Sequence, residues 1–230
     1  MGTVRDTGGR SSRGAYAGPD LEFTVEGVEA VRFAAVPTLS FDLRIESRGR
    51  PVRSVVLDVQ VRIDAAGRRY AEAERERLLG LFGESRRWST TLRSLLWTRT
   101  SLQVPPFSGS TVVEMPVVCT YDLEVAAARY FSALEGGEVP LEFLFSGTVF
   151  YEAEDGRLQA SRISWEKEAR FGMPVGVWRE MIEHHFHDSA WLRLRRDVFE
   201  RLHAYRVREG CLSWEETVES LIRAKEGVGR

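Results

Sequence analysis

Leu39-Ser40-Phe41-Asp42-Leu43-Arg44-Ile45 alternates large apolar with polar side chains at every step. In an extended chain successive side chains point to opposite faces, so this stretch is a strand with one buried and one wetted face. Leu57, Val59, Val61 and Ile63 repeat the pattern against Asp58, Gln60 and Arg62. The polar Ser47 to Pro51 segment between them is short, contains Gly49, and is expected to join the two as a hairpin. Phe143, Phe145, Val149 and Tyr151 mark a long third strand running to Asp155-Gly156, a turn dipeptide because both residues tolerate positive φ, with Leu158 to Ile163 returning beside it. Thr98 to Val104 and Thr111 to Val118 are two more extended stretches, separated by Pro105-Pro106, whose missing amide donors suit a loop or an edge. Six or seven strands result.

Helical spacing interrupts the strands and then takes over. Glu72 to Phe82 carries charges ahead of Leu78, Leu79 and Phe82 and is stopped by Gly83. Leu123, Ala127, Tyr130 and Leu134 form a second apolar stripe behind Asp122, with Gly136 as the stop. From Pro174 on the pattern is helical throughout: Pro174 to about His184, Trp191 to about Arg208, and a helix after Ser213, which with Glu216 has the spacing of a capping box. The fold class is therefore α+β: an antiparallel β-sandwich-like pair of sheets with inserted short helices and a C-terminal three-helix segment. Three stretches are expected: a disordered tail over residues 1–19, a β-rich core over 20–172, and a helical segment over 173–230 packed on that core.

Composition bounds what such a fold can do. With 43% hydrophobic and 29% charged residues the chain can bury a core, and a formal net charge of -2 gives no overall field for nucleic acid or anionic lipid. No apolar run approaches the length of a membrane span, the N-terminus lacks a signal-peptide core, and Cys119 and Cys211 have no metal-ligand or disulfide-scaffold spacing. A cytoplasmic protein without a cofactor is the expectation.

Two groups of side chains could carry function. Glu180 and His184 lie one helical turn apart, with His187 close behind, a spacing that could put three ligands on one metal ion; a helix end where imidazoles meet terminal carbonyls is the plainer reading. Arg193, Arg195, Arg196, Arg201, Arg206 and Arg208 make the helix after Trp191 locally basic, although Asp197 and Glu200 stand at pairing distance from several of them. Arg193, Arg195 and Arg206, with Trp88 beside Arg86 and Arg87, are the candidates for a protein-docking surface. No nucleophile elbow, phosphate loop, zinc-protease or dinucleotide fingerprint occurs.

Leu95-Leu96-Trp97-Thr98-Arg99-Thr100, Val104-Pro105-Pro106-Phe107-Ser108-Gly109-Ser110-Thr111, Cys119-Thr120-Tyr121-Asp122, Leu144-Phe145-Ser146-Gly147-Thr148-Val149-Phe150 and Trp191-Leu192-Arg193-Leu194-Arg195-Arg196-Asp197 together resemble a bacterial, largely actinobacterial, family of domains of unknown function. The resemblance covers nearly everything after the N-terminal tail. Genes of that family often lie beside those for uptake nickel-iron hydrogenases and their maturation factors. Together with the absence of site motifs and the Trp and Arg surface, the resemblance leads to the expectation of a non-catalytic binding or assembly module accessory to hydrogenase maturation or assembly, with hydrogenase subunits or maturation factors as partners; the alternative is a metal-binding protein or enzyme with its site near Glu180, His184 and His187. The resemblance assigns no catalytic residue.

Overall fold

The structure, a computed structural model, describes residues 18–119, 125–187 and 194–227. The chain divides into two compact units, Met1–Ser189 and Ala190–Arg230. In the first, strands β1 (Asp20–Ala30), β2 (Thr38–Arg48) and β5 (Ser110–Val118) form one antiparallel sheet in the order β1-β2-β5. β3 (Val52–Ile63), β4 (Leu95–Val104), β6 (Glu138–Glu152), β7 (Leu158–Arg162) and β8 (Glu168–Pro174) form the other. Its centre is β3, flanked by β4 and β6, and the far side of the long β6 is shared by β8 along its first half and β7 along its second.

The alternation that marks the strands also fixes how the sheets stack. Leu39, Phe41, Leu43 and Ile45 from β2 face Val55, Leu57, Val59, Val61 and Ile63 from β3 as fully buried rows. Phe23 stacks on Phe145 at 4.2 Å between ring centroids, and Phe41 meets Phe143 edge-on at 5.4 Å, so the aromatic contacts cross from sheet to sheet. This arrangement corrects the expected hairpin of β2 with β3. The two strands lie in opposite sheets, and Ser47 to Pro51 carries the chain over the edge of the sandwich. Two rows of large side chains are better buried facing each other than standing side by side. Pro51 has no amide to extend the β2 ladder, and Val52 instead exchanges backbone hydrogen bonds with Phe107 at 2.9 and 3.0 Å. β4 and β5 likewise straddle the sandwich around Pro105-Pro106. The β6–β7 turn does form at Asp155-Gly156, with Gly156 at φ 78°.

Contacts along both sides tie the two sheets together. Thr100 Oγ1 donates to Pro116 O at 3.3 Å, joining β4 to β5. On the opposite side β1 packs along β8, and the Lys167 ammonium reaches Asp20 and Glu22 at 2.8 and 2.9 Å. Gly18 and Pro19, counted with the tail in the sequence reading, belong to this unit: Pro19 is buried, and a Cβ on Gly18 would collide with Ser161. The rest of that tail, residues 1–17, lies outside the described residues.

Among the described residues, four α-helices dress the sandwich. α1 (Glu72–Phe82) ends where expected at Gly83, whose φ of 75° lets its amide reach Leu79 O. α2 (Trp88–Thr91) is a single turn, α3 (Ala126–Ala133) packs on β4 and α1, and α4 (Val175–His185) lies against β1, β2 and β8. Phe131 on α3 stacks against Trp178 on α4 at 5.4 Å and meets Trp97 on β4 at 4.9 Å. Asp122 and Leu123, read as the start of α3, lie outside the described residues.

Beneath α1 sits a buried polar knot. Arg68 pairs with Glu74 at 2.6 Å, their side chains 9% and 4% exposed, and Arg68 also donates to Glu138 O and Gly136 O. Glu74 accepts from the Ala71 and Glu135 amides at 3.0 and 2.8 Å. Tyr70 gives its hydroxyl proton to Ala65 O at 2.6 Å, so Tyr130 is the donor in the 2.8 Å bond between the two tyrosines. Burial pushes both tyrosine pKa values up. The knot ties α1, α3 and the start of β6 into one body.

Cys119, just after β5, is 6% exposed, and burial pushes its thiol up to about 12 from an ordinary value of 9.0. An acid held neutral by folding lowers stability only where the unfolded chain has released its proton. The expected result is a loss of stability as pH rises from about 9 toward 12, and none from this group at lower pH. At about pH 10 chemical denaturation should show Cys119→Ala losing about 1 kcal/mol less, relative to its own neutral-pH value, than wild type. Equal losses would place the thiol in water.

The second unit is a helical hairpin of α5 (Arg196–Glu209) and α6 (Trp214–Gly227). The sequence reading started the first of these at Trp191. Trp191 lies outside the described residues, and Leu194 and Arg195 precede α5. Gly210 turns the chain with φ 69°, and the Ser213 hydroxyl caps α6 by accepting from the Glu216 amide at 3.0 Å. The carboxylate of Glu216 accepts from Leu212 N at 2.7 Å, one residue ahead of where a strict capping box would place it.

Candidate partner-binding site

The residues singled out as metal ligands build a clamp. α4 is amphipathic: Trp178, Met181 and Ile182 face the core, which leaves Glu180, Glu183 and His184 on the outer side. Its last turn reaches the β1–β2 loop, residues 31–37. His184 Nε2 lies 2.5 Å from Arg32 O and His185 Nε2 3.3 Å from Ala34 O. His185 Nδ1 lies 3.0 Å from Met181 O. Carbonyl oxygens only accept, so each of these contacts needs a ring N–H. Glu180 meets the Arg32 guanidinium at 3.5 Å, and His187 Nδ1 meets Glu183 at 2.9 Å. Glu180, His184 and His187 thus point to three different partners. Among the described residues no group of three or more His, Cys, Asp or Glu side chains is placed to hold a metal ion.

The loop that the clamp holds is fixed from the sheet side as well. Val31 N donates to Thr38 O at 2.9 Å, Cys119 N to Pro37 O at 2.8 Å, and the Thr38 hydroxyl to Val36 O at 2.8 Å. At its tip Phe33 is 98% exposed. Val36 and Val118, which are 46% and 63% exposed, lie at the same end of the sheet, Val118 opposite Thr38 in the β2–β5 register. Between α3 and α4 an open depression of about 510 Å³ is lined by Ser132, Trp178, Arg179, Glu180, Ile182 and Glu183. The arrangement is a projecting aromatic knob on a braced loop, with a groove along the helix that braces it. A phenylalanine this exposed stands to release much ordered water on docking, and it loses little entropy because its backbone is already held.

The docking residues proposed from sequence have structural occupations of their own. Trp88 is only 8% exposed: its indole N–H donates to Gly83 O at 2.9 Å, and its ring packs edge-on against Tyr70 and Phe82. It belongs to the interior. Arg206 is a hairpin fastener, donating to Cys211 O at 3.2 Å and Leu212 O at 2.5 Å while its guanidinium lies 4.8 Å from the centre of the Trp214 ring. Arg195 is exposed and paired with Asp197 at 3.2 Å. Arg193 lies outside the described residues. Phe33 leaves no signal in the sequence, because a single Phe in Val31-Arg32-Phe33-Ala34-Ala35-Val36 belongs to no periodic pattern. Only Pro37 and the end of the β1 alternation hinted at a loop.

The fold and this corner define a class: an α+β protein in which an antiparallel β-sandwich presents a braced, aromatic-tipped loop. The chain belongs to a family of unknown function, DUF6084, whose pattern it matches over residues 18–229. No curated protein matches the chain. Among solved structures it is similar to the CARDB domain of a Pyrococcus furiosus protein in complex with di-metal ions, at 11% identity and a TM-score of 0.27, covering 67% of this chain and 91% of that one. It is also similar to a β-glucosidase from Kluyveromyces marxianus (12% identity, TM-score 0.24) and to β-glucosidase 3B from Thermotoga neapolitana (14%, 0.25). Those matches span 67% of this chain and only 15% and 17% of the glucosidases. The likenesses are distant, and the sandwich assignment rests on the strand register described above. No helix among the described residues is long and apolar enough to cross a membrane.

Proposed function

We propose that the protein is a non-catalytic binding or assembly module that grips a protein partner with the β1–β2 loop and the outer side of α4. The observation that carries this reading is Phe33, 98% exposed on a loop held by hydrogen bonds from both α4 and the sheet. Binding energy at protein interfaces concentrates in a few such anchors set in well-packed surroundings. The partner class follows from the family resemblance, whose gene neighbourhood points to subunits or maturation factors of uptake nickel-iron hydrogenases. In this reading His184 and His185 are positioning groups that brace the loop, and Glu180 helps steer Arg32.

The test is capture from a native hydrogenase-producing host with tagged wild-type and Phe33→Ser proteins. Wild type is expected to recover a hydrogenase component, and the variant to lose at least about 2 kcal/mol of affinity, some thirtyfold, while its folding stability changes by less than about 0.5 kcal/mol. Recovery of no hydrogenase component by wild type overturns the partner assignment. Equal recovery by both proteins removes Phe33 from the interface.

A further inference from the structure

The α5–α6 hairpin leaves an apolar band uncovered. Its internal seam is largely polar: Tyr205 and Ser220 share a 3.0 Å hydroxyl hydrogen bond, Arg206 lies over Trp214, and Thr217, the only buried residue of the two helices, spends its hydroxyl on Ser213 O. Phe199 leans on Trp214 at 5.2 Å between centroids, and Val218, Leu221 and Ile222 continue from Trp214 at helical spacings of four, seven and eight residues. Phe199, Val207, Val218, Leu221 and Ile222 are all among the exposed large hydrophobics. They make a stripe that starts on α5, crosses the seam and runs along α6. A polypeptide below about 40 residues rarely supports itself without burying such a stripe against something else.

We propose that a second copy of this chain covers the band, so that two α5–α6 hairpins pair about a two-fold axis as a four-helix bundle. Charge complementarity selects this occupant. Arg195 and α5 together hold five arginines against Asp197, Glu200 and Glu209, whereas α6 holds four glutamates against Arg223 and Lys225. One helix is net basic and its neighbour net acidic. A two-fold axis that sets α5 of one copy over α6 of the other satisfies both contacts at once, because an isologous interface repeats every contact twice. Two hairpins of 14-residue helices also match the short-loop antiparallel form of such bundles. A neutral or single-signed stripe would not distinguish a second copy from any other apolar partner.

The experiment is sedimentation equilibrium on the full chain across a dilution series. The wild type is expected to show twice the chain mass and to dissociate on dilution more readily at high salt, since part of the attraction is between exposed charges. The Val218→Glu, Ile222→Glu double variant is expected to run at the single-chain mass. Circular dichroism and the thermal transition check that it remains folded. Should that variant fail to fold, Arg201→Glu is the second arm. It leaves the band intact, it is expected to weaken self-association severalfold, and Glu219→Arg in the same chain is expected to restore it in part. A wild type of single-chain mass throughout overturns the proposal, as does a double variant that stays folded and dimeric. Self-association insensitive to both salt and the charge reversal overturns the pairing of α5 with α6.

Discussion

Replacing Gly147 by alanine is expected to remove most of the stability of the sandwich, more than about 4 kcal/mol from a total on the order of 5 to 15 kcal/mol. Gly147 sits in the middle of β6 with φ 138°, where its partner in β3 is Leu57. Its carbonyl accepts from Ile163 N at 3.0 Å, the point at which the β7–β8 connection is tied to β6. A Cβ would fall closer than 3.0 Å to the Val56 carbonyl oxygen and within 3.1 Å and 3.2 Å of Val56 C and Leu57 Cα. Those neighbours are backbone atoms of the central strand and cannot rotate away. Gly49 is the control, because its φ of 110° is also unfavourable for alanine but nothing lies within 4 Å of the added carbon. Gly49→Ala should therefore cost only the conformational strain, about 1 to 3 kcal/mol. Urea denaturation of the three proteins checks the order. A Gly147→Ala protein within about 1 kcal/mol of wild type would mean that β6 does not cross β3 in this register.

That glycine shows where the sequence is legible. Alternation reports which face of a strand is buried, because burial is a property of each residue, and so β2 to β7, the α+β class, α1 with its Gly83 stop and the Asp155-Gly156 turn could be read directly, whereas β1 and β8 were not. Alternation does not report which strand lies beside which. β2 and β3 carry the same pattern whether they are neighbours in one sheet or opposed across the core, and the five residues from Ser47 to Pro51 can span either gap. Gly147 in Phe145-Ser146-Gly147-Thr148 looks like an ordinary interruption until β3 is placed across it.

The candidate site was less legible for a similar reason. The spacing of Glu180 and His184 correctly puts both on one helix, but the backbone carbonyls that occupy the histidines come from a loop some 150 residues away in sequence. Backbone groups leave no mark in the pattern of side chains. Arg206 is the opposite case. Its count among the arginines suggested a docking face, and its Cys211, Leu212 and Trp214 contacts turn it into part of the hairpin. A run of like charges predicts a field; which of its members remain available depends on geometry.

Glu74→Ala is expected to be the second most damaging change, at about 3 to 5 kcal/mol, because it leaves the Arg68 guanidinium buried without its counter-ion. The loss has a second part. Glu74 accepts the Ala71 and Glu135 amides, and Arg68 serves the Gly136 and Glu138 carbonyls, so the pair satisfies four backbone groups at the ends of α1 and α3 and the start of β6. Many buried ion pairs can be exchanged for apolar residues with little loss, since removing both charges also removes their desolvation cost. Here that exchange should fail. Arg68→Met with Glu74→Leu relieves the charge but leaves all four backbone groups without these partners; the bond to Glu138 O is exposed, so the loss comes from the three part-buried groups, Ala71 N, Glu135 N and Gly136 O, each costing up to about 1 to 3 kcal/mol. Thermal and urea unfolding should therefore place the double variant well below wild type. A double variant as stable as wild type would show that water reaches these amides and carbonyls once the pair is gone, and that the knot acts as a simple salt bridge.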